Sequence, residues 1–256
     1  MTIPTHWLVY VVPAILIACR MSGLLVTAPF FGEATVPARV KAALVIALTV
    51  VLLPLTGSHL PQRSVLDLLG EGLSELMIGV FLGLAAQVVF EGALLAGEVA
   101  SFQLGLSLET SIDPSTQASS TVLATFHRLV VLYIFLQMGV HRWILLALFS
   151  SFSQLPLGMS LTALTGAQFL TFAGNLWVWG LELVLPILVA TLLIDVTLAF
   201  FAKVAPQLPV MFVGIPIKQL VGYAVLIAAL RYWPSLVGPQ FQSAVSFFLQ
   251  HAHPLA

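Results

Sequence analysis

Charged residues are so scarce in this chain that they cannot cover the surface of a water-soluble domain. The chain has 9 basic and 10 acidic residues among 256, and 60% of its residues are hydrophobic. An ordinary soluble domain has about 25% charged residues. The composition therefore excludes a cytoplasmic enzyme, a protein that binds nucleic acid and a disordered chain. It predicts a helical protein that crosses a lipid bilayer several times.

Six apolar windows approach or exceed the roughly 20 residues that a helix needs to cross a bilayer. They lie at 7–27, 40–55, 72–102, 122–148, 169–201 and 210–233, and a short amphipathic piece follows at 241–249. Pro13 and Pro186 lie inside windows, where proline removes a backbone hydrogen bond and kinks or breaks a helix. We therefore expect an all-α, polytopic membrane protein of about six kinked hydrophobic helices arranged as hairpins, in a single integral membrane domain over residues 1–256.

One polar stretch interrupts the apolar pattern. Residues 107–121 read SLETSIDPSTQASST, and Asp113-Pro114 within it favours a turn. Composition alone leaves two interpretations open, an ordinary connecting loop and a loop with its own function.

Small residues recur at four-residue spacing in the third window. Gly79 and Gly83 form a G-x-x-x-G pair, and Gly92 with Ala96 repeats the spacing shortly before Gly97. Such spacing lets the backbones of two membrane helices approach closely. The motif is common by chance in apolar sequence, so we expect it to serve helix packing within the chain rather than an oligomer interface.

Charged side chains also occur inside the apolar windows, where each would cost roughly 2.5–3.5 kcal/mol or more if it faced lipid. They are Arg20, Glu75, Glu91, Glu98, Glu182 and Asp195. Glu91 and Glu98 are seven residues apart and share one helix face. The acids have no basic or histidine partner at helical spacing, which favours buried polar contacts or the lining of a polar conduit over a proton relay.

Signatures of enzymes and metal sites are absent from the sequence. It has no H-E-x-x-H, C-x-x-C or Walker motif, and its histidines are dispersed, so we expect no catalytic residue, metal or cofactor. Gly105-Leu106-Ser107 is similar to a fragment of an intramembrane serine protease motif, with His127 or His141 as a conceivable base. A small-molecule secondary transporter is a further alternative, weakened because the proline breaks do not recur in matching halves.

An ordered set of short blocks along nearly the whole chain resembles the FliR family of flagellar biosynthesis proteins, whose injectisome relatives are the SctT proteins. The blocks are RMSGL at 20–24, APFFG at 28–32, PARVK at 37–41, the glycine-rich third window, Gly105 through Pro114, Phe135–His141, SF at 151–152 with PLG at 156–158, PQ at 206–207 and GIPIK at 214–218. One departure is Leu208-Pro209-Val210, where the family usually has an Asn-Val pair.

The resemblance implies a single-copy, non-enzymatic subunit of the flagellar type III export gate in the bacterial inner membrane, at the flagellar basal body. It implies a closed pore formed with FliP-type and FliQ-type subunits for the export of unfolded flagellar proteins, with FlhB-type and FlhA-type subunits as further partners. A FliP-like part would cover about 1–165 and a FliQ-like part about 166–256. An injectisome subunit of the same fold is the alternative.

The resemblance also implies a role for the polar stretch, because the matching residues of the family plug the closed pore. A flexible segment rich in serine and threonine leaves a channel more easily than a packed helix does. The plug would extend over about 106–120, with apolar contacts from Leu106, Leu108 and Ile112. Its central residues would be Leu106, Ser107, Leu108, Glu109, Thr110, Ser111, Ile112, Asp113 and Pro114.

Overall fold

Eight α-helices account for most of the chain that the computed structural model describes, which comprises residues 8–32, 36–56, 64–106, 121–158, 166–205, 207 and 210–251. They are α1 (Leu8–Thr27), α2 (Ala38–Thr56), α3 (Val65–Gln103), α4 (Val122–Gln137), α5 (Val140–Gln154), α6 (Gly166–Val204), α7 (Val210–Leu230) and α8 (Trp233–His251). No strand occurs in these residues. The expected all-α class is confirmed.

Four helices are long and apolar enough to cross a membrane. They are α1, α3, α6 and α7, and the bent pair of α4 and α5 makes a fifth candidate if the pair forms one span. Helices α3 and α6 have 39 residues each, about 58 Å of helix at 1.5 Å per residue, which exceeds the roughly 30 Å of a hydrocarbon core. The chain is therefore a polytopic membrane protein.

The described part has eight helices where the apolar windows predicted about six. The window 122–148 is divided at Gly139, which has a φ of 69° and separates α4 from α5 at an angle of 65°. Glycine has no Cβ and adopts this left-handed conformation without the steric penalty of other residues. The amphipathic end piece belongs to a longer helix, α8, which starts at Trp233.

The two prolines that predicted kinks or breaks do not end their helices. Helix α1 continues through Pro13, and α6 continues through Pro186. Proline removes one backbone donor from a helix, and the hydrogen bonds on either side of it are enough to carry a long apolar helix onward.

The chain divides into two compact units. The first consists of Met1–Val88, Gly139–Ala173 and Phe241–Ala256, and the second consists of Val89–Met138 and Gly174–Gln240. These units reflect packing, whereas the expected FliP-like and FliQ-like parts, about 1–165 and 166–256, concern sequence relationship. That second division stays a prediction.

In the first unit, α1 lies against α3 along a seam of small residues. A Cβ at Gly79 would overlap the backbone of Arg20 and Leu24, and one at Gly83 would overlap Thr27 and Ala28. The contact is reciprocal, because a Cβ at Gly23 of α1 would overlap the backbone of α3. The G-x-x-x-G pair therefore lies in a helix contact within the chain.

In the second unit, α3 contacts α4 and α6 through two further glycines. Gly92 lies under the indole ring of Trp179 of α6, and a Cβ at Gly97 would overlap the backbone of Ala124 in α4. The rings of Phe90 and Phe135 pack edge to face with centroids 5.6 Å apart. The close approach at Gly97 brings the last turns of α3 beside the first turn of α4.

Candidate functional site

The two ends of the polar stretch form the candidate site. Leu106 is the last described residue before it, and Thr121, the final residue of the stretch, is where the described chain resumes. The remaining expected plug residues lie outside the described residues, so their contacts stay predictions. They are Ser107, Leu108, Glu109, Thr110, Ser111, Ile112, Asp113 and Pro114.

Helix α3 ends in a glycine cap immediately before the stretch. Gly105 has a φ of 75°, and its N–H donates to the carbonyl oxygen of Phe102 at 3.1 Å. The N–H of Leu106 donates to the carbonyl oxygen of Ser101 at 2.9 Å. These two hydrogen bonds form a Schellman motif, which satisfies the last carbonyl groups of the helix and turns the chain away from it. The direction in which the stretch leaves α3 is therefore set by backbone geometry.

Helix α4 begins at the other end of the stretch with a threonine cap. Thr121 has an extended backbone, and its Oγ1 accepts a hydrogen bond from the N–H of Ala124. A threonine in this position satisfies one of the amide groups that the first turn of a helix leaves unpaired. The helix end on each side of the stretch is therefore capped by local hydrogen bonds.

Side chains of α3 also hold the start of α4, and we refer to these three residues as the end clamp: Glu98, Ser101 and Thr121. Glu98 Oε1 accepts the N–H of Thr121 at 3.0 Å. The hydroxyl groups of Ser101 and Thr121 are hydrogen bonded at 2.7 Å. Glu98 and Ser101 are three residues apart and therefore lie on one face of α3. The end clamp fixes the two ends of the polar stretch next to each other.

An apolar cavity of about 500 Å³ adjoins both ends of the stretch. Leu106 and Thr121 contribute to its wall, and α4 and α7 supply the rest through Val122, Leu123, Phe126, Tyr223, Leu226 and Ile227. Its walls suit aliphatic side chains, since apolar surface is favourably removed from water by an apolar occupant. The site therefore combines a polar clamp with an adjacent apolar cavity.

Arg20, one of the expected intramembrane polar residues, forms a fully buried ion pair in the first unit. Its Nε donates to Glu75 Oε2 at 2.5 Å, and both side chains have no exposed surface. The other guanidinium nitrogens donate to Ser151 Oγ at 3.0 Å and to the carbonyl oxygen of Leu155 at 3.1 Å. The ring of Phe152 lies 4.2 Å from the guanidinium carbon. Arg20 therefore ties together α1, α3 and the end of α5.

Asp195 forms a second ion pair, which is exposed. Lys218 Nζ lies 2.9 Å from its carboxylate, and Gln103 Nε2 donates to Asp195 Oδ2 at 3.4 Å. Glu91 is also exposed and does not share in the end clamp, although it is on the same helix as Glu98. The four expected polar residues thus occupy separate places: a buried pair, an exposed pair, the end clamp and the surface of α3.

The basic partners of Glu75 and Asp195 lie on other helices, and for that reason a search for partners at helical spacing along one helix missed them. Ser101, which completes the end clamp, was missed as well. A signal for Thr121 is present in the sequence, because a threonine directly before an apolar window is typical of a helix N-terminus. No comparable local signal marks Ser101 or Lys218.

Of the two histidines considered as protease bases, His127 is packed into the interior of the second unit. His127 is fully buried, its Nδ1 lies 2.8 Å from the carbonyl oxygen of Leu123, and its ring contacts Trp233 with centroids 4.8 Å apart. Ser107 lies outside the described residues. No group of three or more His, Cys, Asp or Glu side chains could hold a metal ion in the described part of the chain.

Comparisons with known proteins agree with one another. The family described as bacterial export proteins, family 1, matches residues 11–244. Flagellar biosynthetic protein FliR of Escherichia coli (strain K12) is 32% identical over 211 residues, which cover 82% of this chain and 80% of that protein. The same-named protein of Pectobacterium carotovorum subsp. carotovorum is 34% identical over 81% of this chain and 80% of its own length. That of Aquifex aeolicus (strain VF5) is 28% identical over 90% and 89%.

Proposed function

The chain belongs to bacterial export proteins, family 1, and from that premise we propose that it is a structural and gating subunit of the flagellar type III protein export channel. The resemblance to the FliR family is confirmed by the family match and by relatives of that name. In this proposal the chain is not an enzyme. It forms a closed pore in the bacterial inner membrane, at the flagellar basal body, and unfolded flagellar proteins pass through that pore.

The end clamp is the observation that carries the gating role. A loop whose ends are fixed can move in and out of a channel without unwinding the helices that hold it. Glu98 and Ser101 of α3 hold Thr121 at the start of α4, and the glycine cap at Gly105 fixes the other end. The residues between these anchors are rich in serine and threonine, a composition that favours a loop over a packed helix.

The apolar cavity beside the anchors supports a closed state in which the plug is seated. Leu108 and Ile112 are the apolar residues of the stretch nearest to Leu106 in sequence. Burying one such side chain contributes roughly 1.5–3 kcal/mol, which is enough to favour a closed state and small enough to be overcome when a substrate enters. We propose that one of them occupies the cavity when the pore is closed.

The proposed partners are FliP-type and FliQ-type subunits in the pore and FlhB-type and FlhA-type subunits beside it. Two observations support these partners. One is membership of the family, and the other is the large apolar surface that the isolated chain exposes on α6 and α7, which includes Leu193, Phe200 and Leu220. A polytopic protein exposes such surface either to lipid or to neighbouring subunits.

The experiment replaces residues 107–120 with a four-residue Gly-Ser linker in cells that carry the whole export apparatus. A flexible linker of this length spans about 10–12 Å, which suits two ends held side by side by the end clamp. We expect the altered chain to assemble with its partners in normal amounts while the membrane becomes permeable to small solutes. The measurements are co-purification of the complex and the uptake of a small impermeant dye.

A matched control keeps the length and composition of the stretch but reverses the order of residues 107–120. If the stretch seals the pore through Leu108 or Ile112, the reversed sequence leaks less than the linker and more than the natural chain. If the linker variant assembles normally and the membrane stays impermeable to the dye, the plug assignment is contradicted.

A further inference from the structure

One side of α7 follows the end of α3 and the cavity beside it. The residues on this side recur at spacings of four and three positions and therefore share one face of the helix. We refer to them as the α7 face: Ile215, Gln219, Gly222 and Leu226. Ile215 Cγ2 lies 3.9 Å from the position of an added Cβ at Gly105, and Leu226 lines the apolar cavity. The α7 face therefore extends from the glycine cap of α3 to the seat of the proposed plug residue.

Leu104 is the residue of α3 that fits most closely against the α7 face. Its side chain lies over Gly222, where an added Cβ would overlap Leu104 Cδ2, and the residue is fully buried. Its carbonyl oxygen lies 3.5 Å from Gln219 Nε2. Because glycine has no side chain, it leaves a notch in α7 that the leucine fills. The end of α3 is thus held by the tip of one side chain.

An ion pair beside the α7 face holds the same end of α3. Lys218 Nζ lies 2.9 Å from the carboxylate of Asp195, and Asp195 Oδ2 lies 3.4 Å from Nε2 of Gln103, the last residue of α3. Asp195 therefore links α3, α6 and α7. Its side chain is 46% exposed, and an exposed ion pair contributes little to stability because water screens the attraction. This link opens at low cost.

The contacts at the other end of the polar stretch are of a different kind. There α3 and α4 meet backbone to backbone, since a Cβ at Gly97 would overlap the Cα of Ala124. The end clamp adds hydrogen bonds of 3.0 and 2.7 Å to Thr121. Packed backbone atoms cannot move aside, whereas a leucine side chain changes rotamer and an exposed ion pair separates. The attachment to α7 is therefore the weaker of the two.

We propose that the α7 face is the release point of the plug: α7 moves away from the end of α3 when the pore opens, while the end clamp keeps α4 in place. This movement empties the notch at Gly222 and breaks the Asp195 link together. It also opens the cavity, because α7 supplies part of the cavity wall. The inference rests on the proposed function, which provides the plug, and it adds which end of the stretch is released.

The test locks each end of the stretch with a reducible disulfide in the full-length chain, in cells with the complete apparatus. Cys19→Ser is included because Cys19 is the one cysteine of the chain. The locking pair is Leu104→Cys with Gly222→Cys, and the matched control pair is Ser101→Cys with Thr121→Cys. The two side-chain positions of each pair are already in contact, as a disulfide requires.

We expect a mild oxidant to lower the export of flagellar proteins about tenfold or more in the locking pair, because the closed state can no longer open. The control pair should export normally when oxidised, and a reductant should restore export through the locking pair. Mass spectrometry of the purified chain confirms that each disulfide has formed.

Two results overturn the inference: normal export through the oxidised locking pair, or an equal loss of export in both oxidised pairs. The proposed function is tested separately by the linker that replaces residues 107–120. If the linker variant is impermeable to the dye, the proposed function fails. If the linker variant leaks while the oxidised locking pair exports normally, only the release point fails.

A second measurement weakens the attachment, so the inference stays testable if the locking pair does not assemble. Lys218→Met removes the cation, and Asp195 keeps its contact with water. We expect dye uptake to rise several-fold with a normal amount of assembled complex, and the charge exchange Asp195→Lys with Lys218→Asp to lower it again. Thr197→Leu, at another exposed position of α6, should leave uptake unchanged. Uptake that Lys218→Met does not raise, or that the exchange does not lower, contradicts the release point.

Discussion

Arg20 and Glu75 show how a charge is accommodated inside an apolar chain. The guanidinium nitrogens donate to Glu75, Ser151 and the carbonyl oxygen of Leu155, and Glu75 Oε1 accepts the N–H of Gly158 at 3.1 Å. A buried ion pair is tolerated only when its remaining donors and acceptors also have partners. This pair meets that condition, which explains how both side chains are accommodated with no exposed surface.

Removing one member of this pair should be far more harmful than removing both. We expect Arg20→Met alone to lower the free energy of unfolding by about 3–5 kcal/mol, because it leaves Glu75 buried without a cation. The double variant Arg20→Met with Glu75→Leu should recover most of that loss. Unfolding of the purified chain in detergent, followed by circular dichroism against denaturant, measures both. A loss in the double variant equal to the sum of the two single losses would show that the two side chains act independently.

Glu98 contributes to the end clamp through one carboxylate oxygen. We expect Glu98→Leu to leave the Thr121 amide without its acceptor, at a cost of about 1–3 kcal/mol, and to loosen one anchor of the polar stretch. Glu98→Gln is the matched control, since its amide oxygen can still accept the hydrogen bond. Limited proteolysis within residues 107–120 is the measurement, and it should be faster for Glu98→Leu only. Equal proteolysis rates for the two variants would show that Glu98 does not anchor the stretch.

At the scale of elements, the contact between α1 and α3 depends on glycine for a physical reason. At Gly79 and Gly83 the nearest neighbours of an added Cβ include backbone atoms of α1, which cannot move aside as the end of a flexible side chain can. Such a seam gains dispersion energy and weak backbone contacts, which are the main source of helix association where lipid is as apolar as the side chains.

This seam predicts opposite results for two alanine substitutions in the same helix. Gly79→Ala should destabilise the chain by about 1–3 kcal/mol, because α1 must shift away from α3. Gly70→Ala is the control, since a Cβ there meets no atom within 4 Å, and it should be neutral or stabilising by up to about 1 kcal/mol through helix propensity. Thermal unfolding of the two variants in detergent gives the comparison. Equal stability would mean that the seam tolerates a methyl group.

At the scale of the whole molecule, the proposed function predicts that each export complex contains one copy of this chain. A secondary transporter would instead be a monomer or a homodimer that binds a small solute. We expect that when two differently tagged copies of the chain are produced in one cell, purification through one tag recovers the partner subunits but not the other tag. Recovery of both tags from one complex contradicts the single-copy subunit, and recovery of neither partner nor second tag favours the transporter.

Much of the fold could be predicted from sequence because its cause is local. Hydrophobicity over windows of about 20 residues determines which segments enter a bilayer, and the α-helix satisfies their backbone groups internally. The break between α4 and α5 could not be predicted in this way, because Gly139 interrupts an apolar window without changing its composition. Pro186 predicted a kink or a break. The helix does not end there, since one missing hydrogen bond does not end a 39-residue helix.

The lipid environment, the helical class, the family and the position of the one polar stretch can be read from the amino acids alone, since each depends on composition or on residues close together in the chain. Which charges are neutralised and how the stretch is anchored depend instead on how the folded helices pack. Arg20 and Glu75 are separated by 55 positions and Glu98 and Thr121 by 23. No helical periodicity relates such residues, because their contacts depend on how separate helices pack, and glycines such as Gly97 allow that packing.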